Sequence, residues 1–299
     1  VRFTTRDVIP VAMPFRLDLT TDALRRLASN AVDVVTDEGA YYRAIAVGQS
    51  LALVKVRQLD HDSLEVETTA RNVQPVLAQV RSMLGVDVDL RDWYRRVASV
   101  PWLARLSELC RGVKPPRYAT LWEACAHAIV FQQISIHAAS SIMRRLVEAL
   151  GEQISCDDVT VTAFPTTASL LRASDELLTS VGLSTNKRMH LRSAADAIES
   201  GEIAGAEIEK LSTSKATEKL VRIRGIGPWS AAVVMLRGFG RLDTFPMRDS
   251  GVARLVAELS GDRNVDLDAI LEELGPLRGM LYYHLLLGRI RNLVTESAD

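Results

Sequence analysis

The feature that most constrains the fold is a change of rhythm near residue 90. Before it, "YYRAIAVGQSLALVKVRQLDHDSLEVETTA" breaks into three short β-prone runs, separated by Gly48-Gln49-Ser50 and by Asp60-His61-Asp62-Ser63. Both separators are turn chemistry. Leu64, Val66 and Thr68 alternate with Glu65 and Glu67, the pattern of a strand wet on one face. Upstream, "TTDALRRLASNAVDVV" sets Leu24, Leu27, Ala28, Ala31, Val34 and Val35 on one stripe behind a threonine, which predicts a helix over that stretch. A second helix is predicted at "QPVLAQVRSMLG". After residue 90 strand signals nearly vanish. The fold class expected is therefore α+β: a small N-terminal domain with an antiparallel sheet, residues 1–113, then an all-helical region, 114–299, beyond the connector "RGVKPPRYAT".

A chain of 299 residues has room for two domains and a sizeable core. No apolar run reaches the roughly 18–20 residues of a membrane span. The opening "VRFTTRDVIPVAMPF" lacks the apolar stretch of a secretory signal, so the expectation is an intracellular, cytoplasmic protein with no membrane partner. Cys110, Cys125 and Cys156 are too few for a four-cysteine iron–sulfur cluster and form no CxxC pair. No cofactor and no side-chain metal site are expected.

The net charge of −1 gives no global sign of a nucleic-acid partner, but local charge does. From Lys215 to Arg254 there are eight basic residues against three acids, enough for a local electrostatic footprint, although a solvated helix face would look the same. Inside this stretch lies "LVRIRGIGPWSAAVVML". Gly225 and Gly227 suit a compact turn, and Pro228 suits the first turn of the following helix. The pattern predicts a helix, a glycine hairpin and a second helix over about 215–238. A helix start behind Gly-x-Gly offers free amides to a phosphate, although an ordinary turn would carry the same residues. Asp249 follows Trp229 by twenty residues.

In order and spacing, "VRIRGIGPWSAAVVMLRGFGRLDTFPMRDSGVARLV" resembles the helix–hairpin–helix DNA glycosylase superfamily. "AHAIVFQQISIHAASSI" is similar to its glutamine-containing helix, and "SVGLSTNKRMHLRSAADAI" to its following segment. "AYYRAIAVG" resembles the small domain of the alkyladenine (3-methyladenine) glycosylase II type. The resemblance covers nearly the whole chain. It implies an enzyme of base excision repair that binds damaged double-stranded DNA, flips a base out of the stack and hydrolyses its N-glycosidic bond. A monomer is expected.

The same resemblance implies the site residues. Asp249 becomes the carboxylate beside the sugar, stabilising positive charge and orienting water; read from sequence alone, it could instead cap the helix that begins at "SGVARLV", a role compatible with the first. Trp229 and Gln132 are placed at the substrate pocket, and Gln133 at the wedge that fills the vacated stack. Ile223, Gly225, Gly227 and Ser230 are placed at the DNA backbone, and the carbonyls of Val221 and Ile223 around a monovalent cation. Bifunctional relatives carry a lysine nineteen residues before the aspartate, where this chain has Ser230. A hydroxyl forms no Schiff base, which implies a monofunctional enzyme leaving an abasic site. Val233, Leu286 and Ala23 stand where the alkyladenine type has aromatic residues; Phe131, Tyr282 and Tyr283 are the aromatics that could compensate. Alkylated bases such as 3-methyladenine are the leading substrates. Deaminated or oxidised bases, and a non-catalytic DNA-binding module, remain as alternatives.

Overall fold

The computed structural model describes residues 1–48, 50–156, 158–247 and 250–293. The N-terminal part contains β1 (Thr5–Pro10), α1 (Leu17–Arg25), β2 (Val34–Val35), β3 (Tyr41–Val47), β4 (Ser50–Asp60), β5 (Ser63–Thr68) and then the helices α2 (Gln74–Leu84), α3 (Arg91–Val97) and α4 (Pro101–Leu109). Its five strands form one antiparallel sheet in the order β1-β5-β4-β3-β2. β5 is flanked on both sides, and its Glu65 is 1% exposed rather than wet. Arg6 and Arg57 cover that carboxylate from the neighbouring strands, which is why an alternating pattern here coexists with burial on both faces.

The helix expected over residues 20–35 is corrected. It starts earlier, at Leu17, and stops at Arg25. Arg26 takes a left-handed φ of 64°, costly for a side chain with a Cβ. The Asn30 side-chain oxygen Oδ1 then accepts the amides of Val32 and Asp33 at 2.8 and 3.0 Å, and Val34–Val35 pair with Tyr42 and Tyr41 as β2. The apolar stripe is real, but its second half is buried by a turn and a strand.

The remainder is helical with one exception. α5 (Leu121–Val130) and α6 (Ile136–Leu150) precede a hairpin of β6 (Gln153–Cys156) and β7 (Val159–Thr162). Its residues Cys156, Val161 and Ala163 share a small core with Tyr42 and Leu53, so these four-residue strands, rich in β-branched side chains, are held by the N-terminal sheet. Then come α7 (Thr167–Arg172), α8 (Asp175–Ser180), α9 (Thr185–Glu199), α10 (Gly205–Lys210), α11 (Thr213–Leu220), α12 (Pro228–Phe239), α13 (Ser250–Ser260), α14 (Leu267–Leu274) and α15 (Gly279–Ile290). No helix among the described residues is long and apolar enough to cross a membrane. Leu90, Trp93, Leu103 and Leu106 of the N-terminal part share a core with Leu255, Leu271, Leu281 and Tyr283. Helices α3 and α4 of the N-terminal part are therefore packed against α13, α14 and α15.

One buried group ties the sheet to the helices. Arg43 of β3 donates to Asp33 at 2.5 Å and to Glu123 of α5 at 2.5 Å, with all three side chains at most 2% exposed. Tyr41 also donates to Asp33, at 2.8 Å. Glu123 also secures the start of α5: the Thr120 hydroxyl accepts the Glu123 amide at 3.0 Å, and the Glu123 carboxylate accepts the amide of Ala119, the residue before that cap, at 3.2 Å. Burial raises the Glu123 carboxyl above its usual range, against the pull of Arg43. Replacing Arg43 by Met strands two buried carboxylates and should destabilise the protein by about 3–5 kcal/mol in urea unfolding; a loss under 1 kcal/mol would remove it as the tie between the two parts.

Candidate functional site

Around the glycine hairpin each residue has a distinct job. α11 begins with Ser212, whose hydroxyl accepts the Lys215 amide, and ends at Val221. Ile223 and Ile226 are buried and anchor the turn from beneath, with the Ile226 amide donating to the Ile223 carbonyl at 3.0 Å. Gly225 has φ 92°, and a Cβ there would lie 2.2 Å from the His190 ring. Gly227, by contrast, is extended, and a Cβ added to it meets nothing within 4 Å. Pro228 opens α12, whose first helical bond runs from the Ala231 amide to the Gly227 carbonyl at 2.9 Å. The amides of Trp229 and Ser230 precede that bond and accordingly lie in the donor-rich first turn.

The Ser230 side chain points inward. It is 2% exposed and accepts the Gln132 side-chain amide at 2.7 Å. The same Gln132 nitrogen donates to the Gly225 carbonyl at 2.8 Å. Gln132 thus buttresses the hairpin. Lys187 holds the other side of this joint by donating to the carbonyls of Val130 and Gln132, the latter at 3.0 Å. Beyond it Gln133 is exposed with φ 58°, beside Ile134 at 38% exposure. A non-glycine residue held left-handed at an exposed tip is a feature of functional loops. Lys219 is paired with Glu207 at 2.5 Å.

Beneath Trp229 a polar cluster lies among apolar helices. Trp229, Val233 and Arg237 are spaced four residues apart on α12, and Tyr282 and Leu286 on α15, so each set lies along one helix face. Arg237 is fully buried and donates to the Ala23 and Leu24 carbonyls at 2.8 and 2.9 Å. Its guanidinium sits 4.6 Å from the Tyr118 ring centre, and Tyr118 stacks on His127 at 4.2 Å. Arg26 lies 3.9 Å over the Phe131 ring and donates to the Tyr282 hydroxyl at 3.2 Å. Burial, helped by Arg26, Arg237 and Arg43, holds His127 well below its usual value, so the ring is neutral. Although burial alone would raise the Tyr282 phenol, Arg26 and Arg237 keep it below the usual range.

Of the three positions where the alkyladenine type has aromatic residues, Ala23 contributes the backbone carbonyl that Arg237 binds, Val233 lies one turn before Arg237 on α12, and Leu286 lies one turn after Tyr282 on α15. Arg26, Tyr118, His127 and Arg237 were not anticipated as site residues. Arg237 left a signal, a lone arginine in the apolar run "AAVVMLRGF". Asp249 lies outside the described residues; the next described residue, Ser250, opens α13.

Residues 126–276 match the HhH-GPD superfamily base excision DNA repair protein family, and residues 8–120 match the AlkA N-terminal domain. The DNA-3-methyladenine glycosylase of Bacillus subtilis (strain 168) is 25% identical over 278 residues, 89% of this chain and 91% of that protein. DNA-3-methyladenine glycosylase 2 of Escherichia coli (strain K12) is 26% identical over 222 residues, 73% of this chain and 75% of that protein. In fold, the chain is similar to the 3-methyladenine DNA-glycosylase from Archaeoglobus fulgidus, with a TM-score of 0.81 at 23% identity over 96% of this chain and 99% of that one.

The two hairpin glycines should separate experimentally. Gly225→Ala forces a Cβ into the His190 ring at positive φ and should cost ~2 kcal/mol or more in thermal or urea unfolding. Gly227→Ala should cost ~1 kcal/mol or less. Equal losses would contradict this arrangement.

Proposed function

The chain belongs to the HhH-GPD superfamily of base excision DNA repair proteins, and from that premise we propose that it is a monofunctional DNA glycosylase. It binds damaged double-stranded DNA, flips the lesion into the cleft beside Trp229 and hydrolyses the bond between base and sugar, leaving an abasic site. Alkylated bases such as 3-methyladenine are the substrate class, in keeping with the names of its relatives. The observation that carries this reading is the Gln132 joint. One side chain couples the amide-rich start of α12 to the exposed tip at Gln133, so a phosphate grip and a stack-filling wedge are held in fixed relation. We assign the protein to the cytoplasm, acting on the nucleoid as a monomer, and divide its chain near residue 113.

In this mechanism the α12 amides and the residues Ile223 to Gly227 approach the phosphate backbone without reading bases, so affinity falls steeply with salt. Ser230 contributes its amide, since its hydroxyl faces Gln132. The Val221 and Ile223 carbonyls would hold a monovalent cation bridging to phosphate; Ile223 keeps one lone pair after accepting the Ile226 amide. Trp229 offers an aromatic face to the flipped base. Gln132 reaches the pocket edge through its carbonyl oxygen, its nitrogen being engaged by the hairpin. Gln133 enters the vacated stack. Asp249 stabilises the oxocarbenium-like sugar and orients water.

Incubating the protein with duplexes that each carry one lesion, and identifying the free bases released, tests the reading directly. Asp249→Asn should keep duplex binding but lose about 10²–10³ in single-turnover release; undiminished release removes Asp249 from the chemistry. Borohydride should trap no protein–DNA adduct, because Ser230 replaces the lysine, Lys187 is bound to two carbonyls and Lys219 is paired with Glu207. Efficient trapping would make the enzyme bifunctional.

A further inference from the structure

Building on the glycosylase reading, we propose that Tyr282 is a specificity-determining residue: its hydroxyl donates a hydrogen bond to the flipped base and so extends the pocket to neutral, carbonyl-bearing damaged bases. The Tyr282 oxygen accepts from Arg26 at 3.2 Å. A guanidinium has only donors, so the phenol keeps its own hydrogen for another partner. Among the described residues Tyr282 donates to none. Its neighbour makes the contrast. Tyr283 is fully buried and gives its hydrogen to the Pro116 carbonyl at 3.0 Å, whereas Tyr282 is half-buried. The tyrosine with a hydrogen to give is the one that keeps an open face.

The charge around it has one sign. Arg26 and Arg237 are 6% and 0% exposed, and neither pairs with a carboxylate among the described residues. Among the described residues, Nη1 of Arg26, and Nε and Nη1 of Arg237, have no hydrogen-bond partner. Buried cations are normally matched by carboxylates because desolvation is expensive; two unmatched ones make this end of the cleft positive. They also make Tyr282 a stronger donor, by holding its phenol below the usual range in spite of burial. Helix spacing relates the cluster to the face of α12 that carries Trp229. From Trp229 the α12 face descends through Val233 to Arg237, Arg237 binds the Ala23 carbonyl, and Tyr282 is one turn from Leu286. With small side chains at Ala23 and Val233, the polar cluster rather than an aromatic wall closes the pocket.

The chemistry follows from charge. When the bond between C1′ and the base nitrogen breaks, its electron pair leaves with the base. A cationic N-alkylated purine becomes neutral by taking that pair and needs little help. A neutral base becomes anionic, with charge delocalised onto its ring nitrogens and carbonyl oxygen, where the Tyr282 hydrogen bond stabilises it. Water adds its oxygen to C1′ and releases a proton, and the departing base takes up one proton, so charge and atoms balance. A base that arrives already cationic leaves as a neutral molecule and gains little from this hydrogen bond, so its release depends little on Tyr282.

The test compares two duplexes, one with a single hypoxanthine, which is neutral, and one with a single 7-methylguanine, which is cationic. Single-turnover release of each is measured for the wild type and for Tyr282→Phe. The ratio of neutral to cationic release should fall about tenfold or more, the scale of one hydrogen bond to developing charge. A ratio is insensitive to a partly unfolded preparation. Arg26→Met, which keeps the phenol and removes part of its clamp, should move the ratio the same way by a smaller factor. An unchanged or increased ratio in both variants overturns the inference while leaving the glycosylase intact. Release of neither base, nor of 3-methyladenine, by the wild type defeats the glycosylase reading itself.

Discussion

Arg43 fixes the position of everything downstream. Its guanidinium is the only described group that bonds both to Asp33, at the edge of the sheet, and to Glu123, in the first turn of α5. Buried ion pairs add little net stability, because desolvation cancels most of their attraction, but breaking one is costly. The consequence is geometric. With its N-terminus locked by Arg43, Thr120 and Glu123, and its C-terminal carbonyl at Val130 bound by Lys187, α5 has little freedom to slide. The loop that follows, with Phe131, Gln132 and Gln133, inherits that rigidity.

What the loop does depends on the hairpin it meets. Gly225 is required by the His190 ring beneath it, whereas Gly227 faces open space. The first glycine therefore belongs to the fold, and the second is free to serve whatever approaches from outside. Gln132 binds the Gly225 carbonyl and the Ser230 hydroxyl together. Movement of the hairpin against the loop tip would break both bonds at once, so a backbone grip at one and an inserted side chain at the other act as a unit.

Parts of this were legible in the sequence because they rest on local rules. Glycine and proline marked the hairpin, turn residues separated β3, β4 and β5, and alternation marked β5. Other parts depend on contacts that no local window contains. The apolar stripe from Leu24 to Val35 matches a helix, but Arg26 stacks on Phe131 and binds Tyr282, residues more than a hundred positions away, and the helix stops beside it. The β6–β7 pair is too short to announce itself and exists because Tyr42 and Leu53 lie beneath it. Gln132, read as a pocket residue, uses its amide nitrogen on the hairpin, a geometry that periodicity cannot supply. The floor of the proposed pocket was the least legible of all, because its residues come from α5, α12, α15 and the end of α1.

That floor and the carboxylate proposed for Asp249 make sense together. Heterolysis of a glycosidic bond separates charge, leaving the sugar positive and a neutral base negative. An enzyme lowers this barrier most by presenting fixed charges of opposite sign to the two fragments, since preorganised dipoles and ions need no rearrangement during the reaction. A carboxylate near C1′ answers the sugar. Arg26 and Arg237 behind Tyr282 answer the base. The two arginines are themselves fixed, one by stacking on Phe131 and the other by carbonyls at the end of α1. A field directed from base to sugar would thus be present before any substrate arrives, and two cations kept in the interior without carboxylate partners among the described residues have a reason to be there.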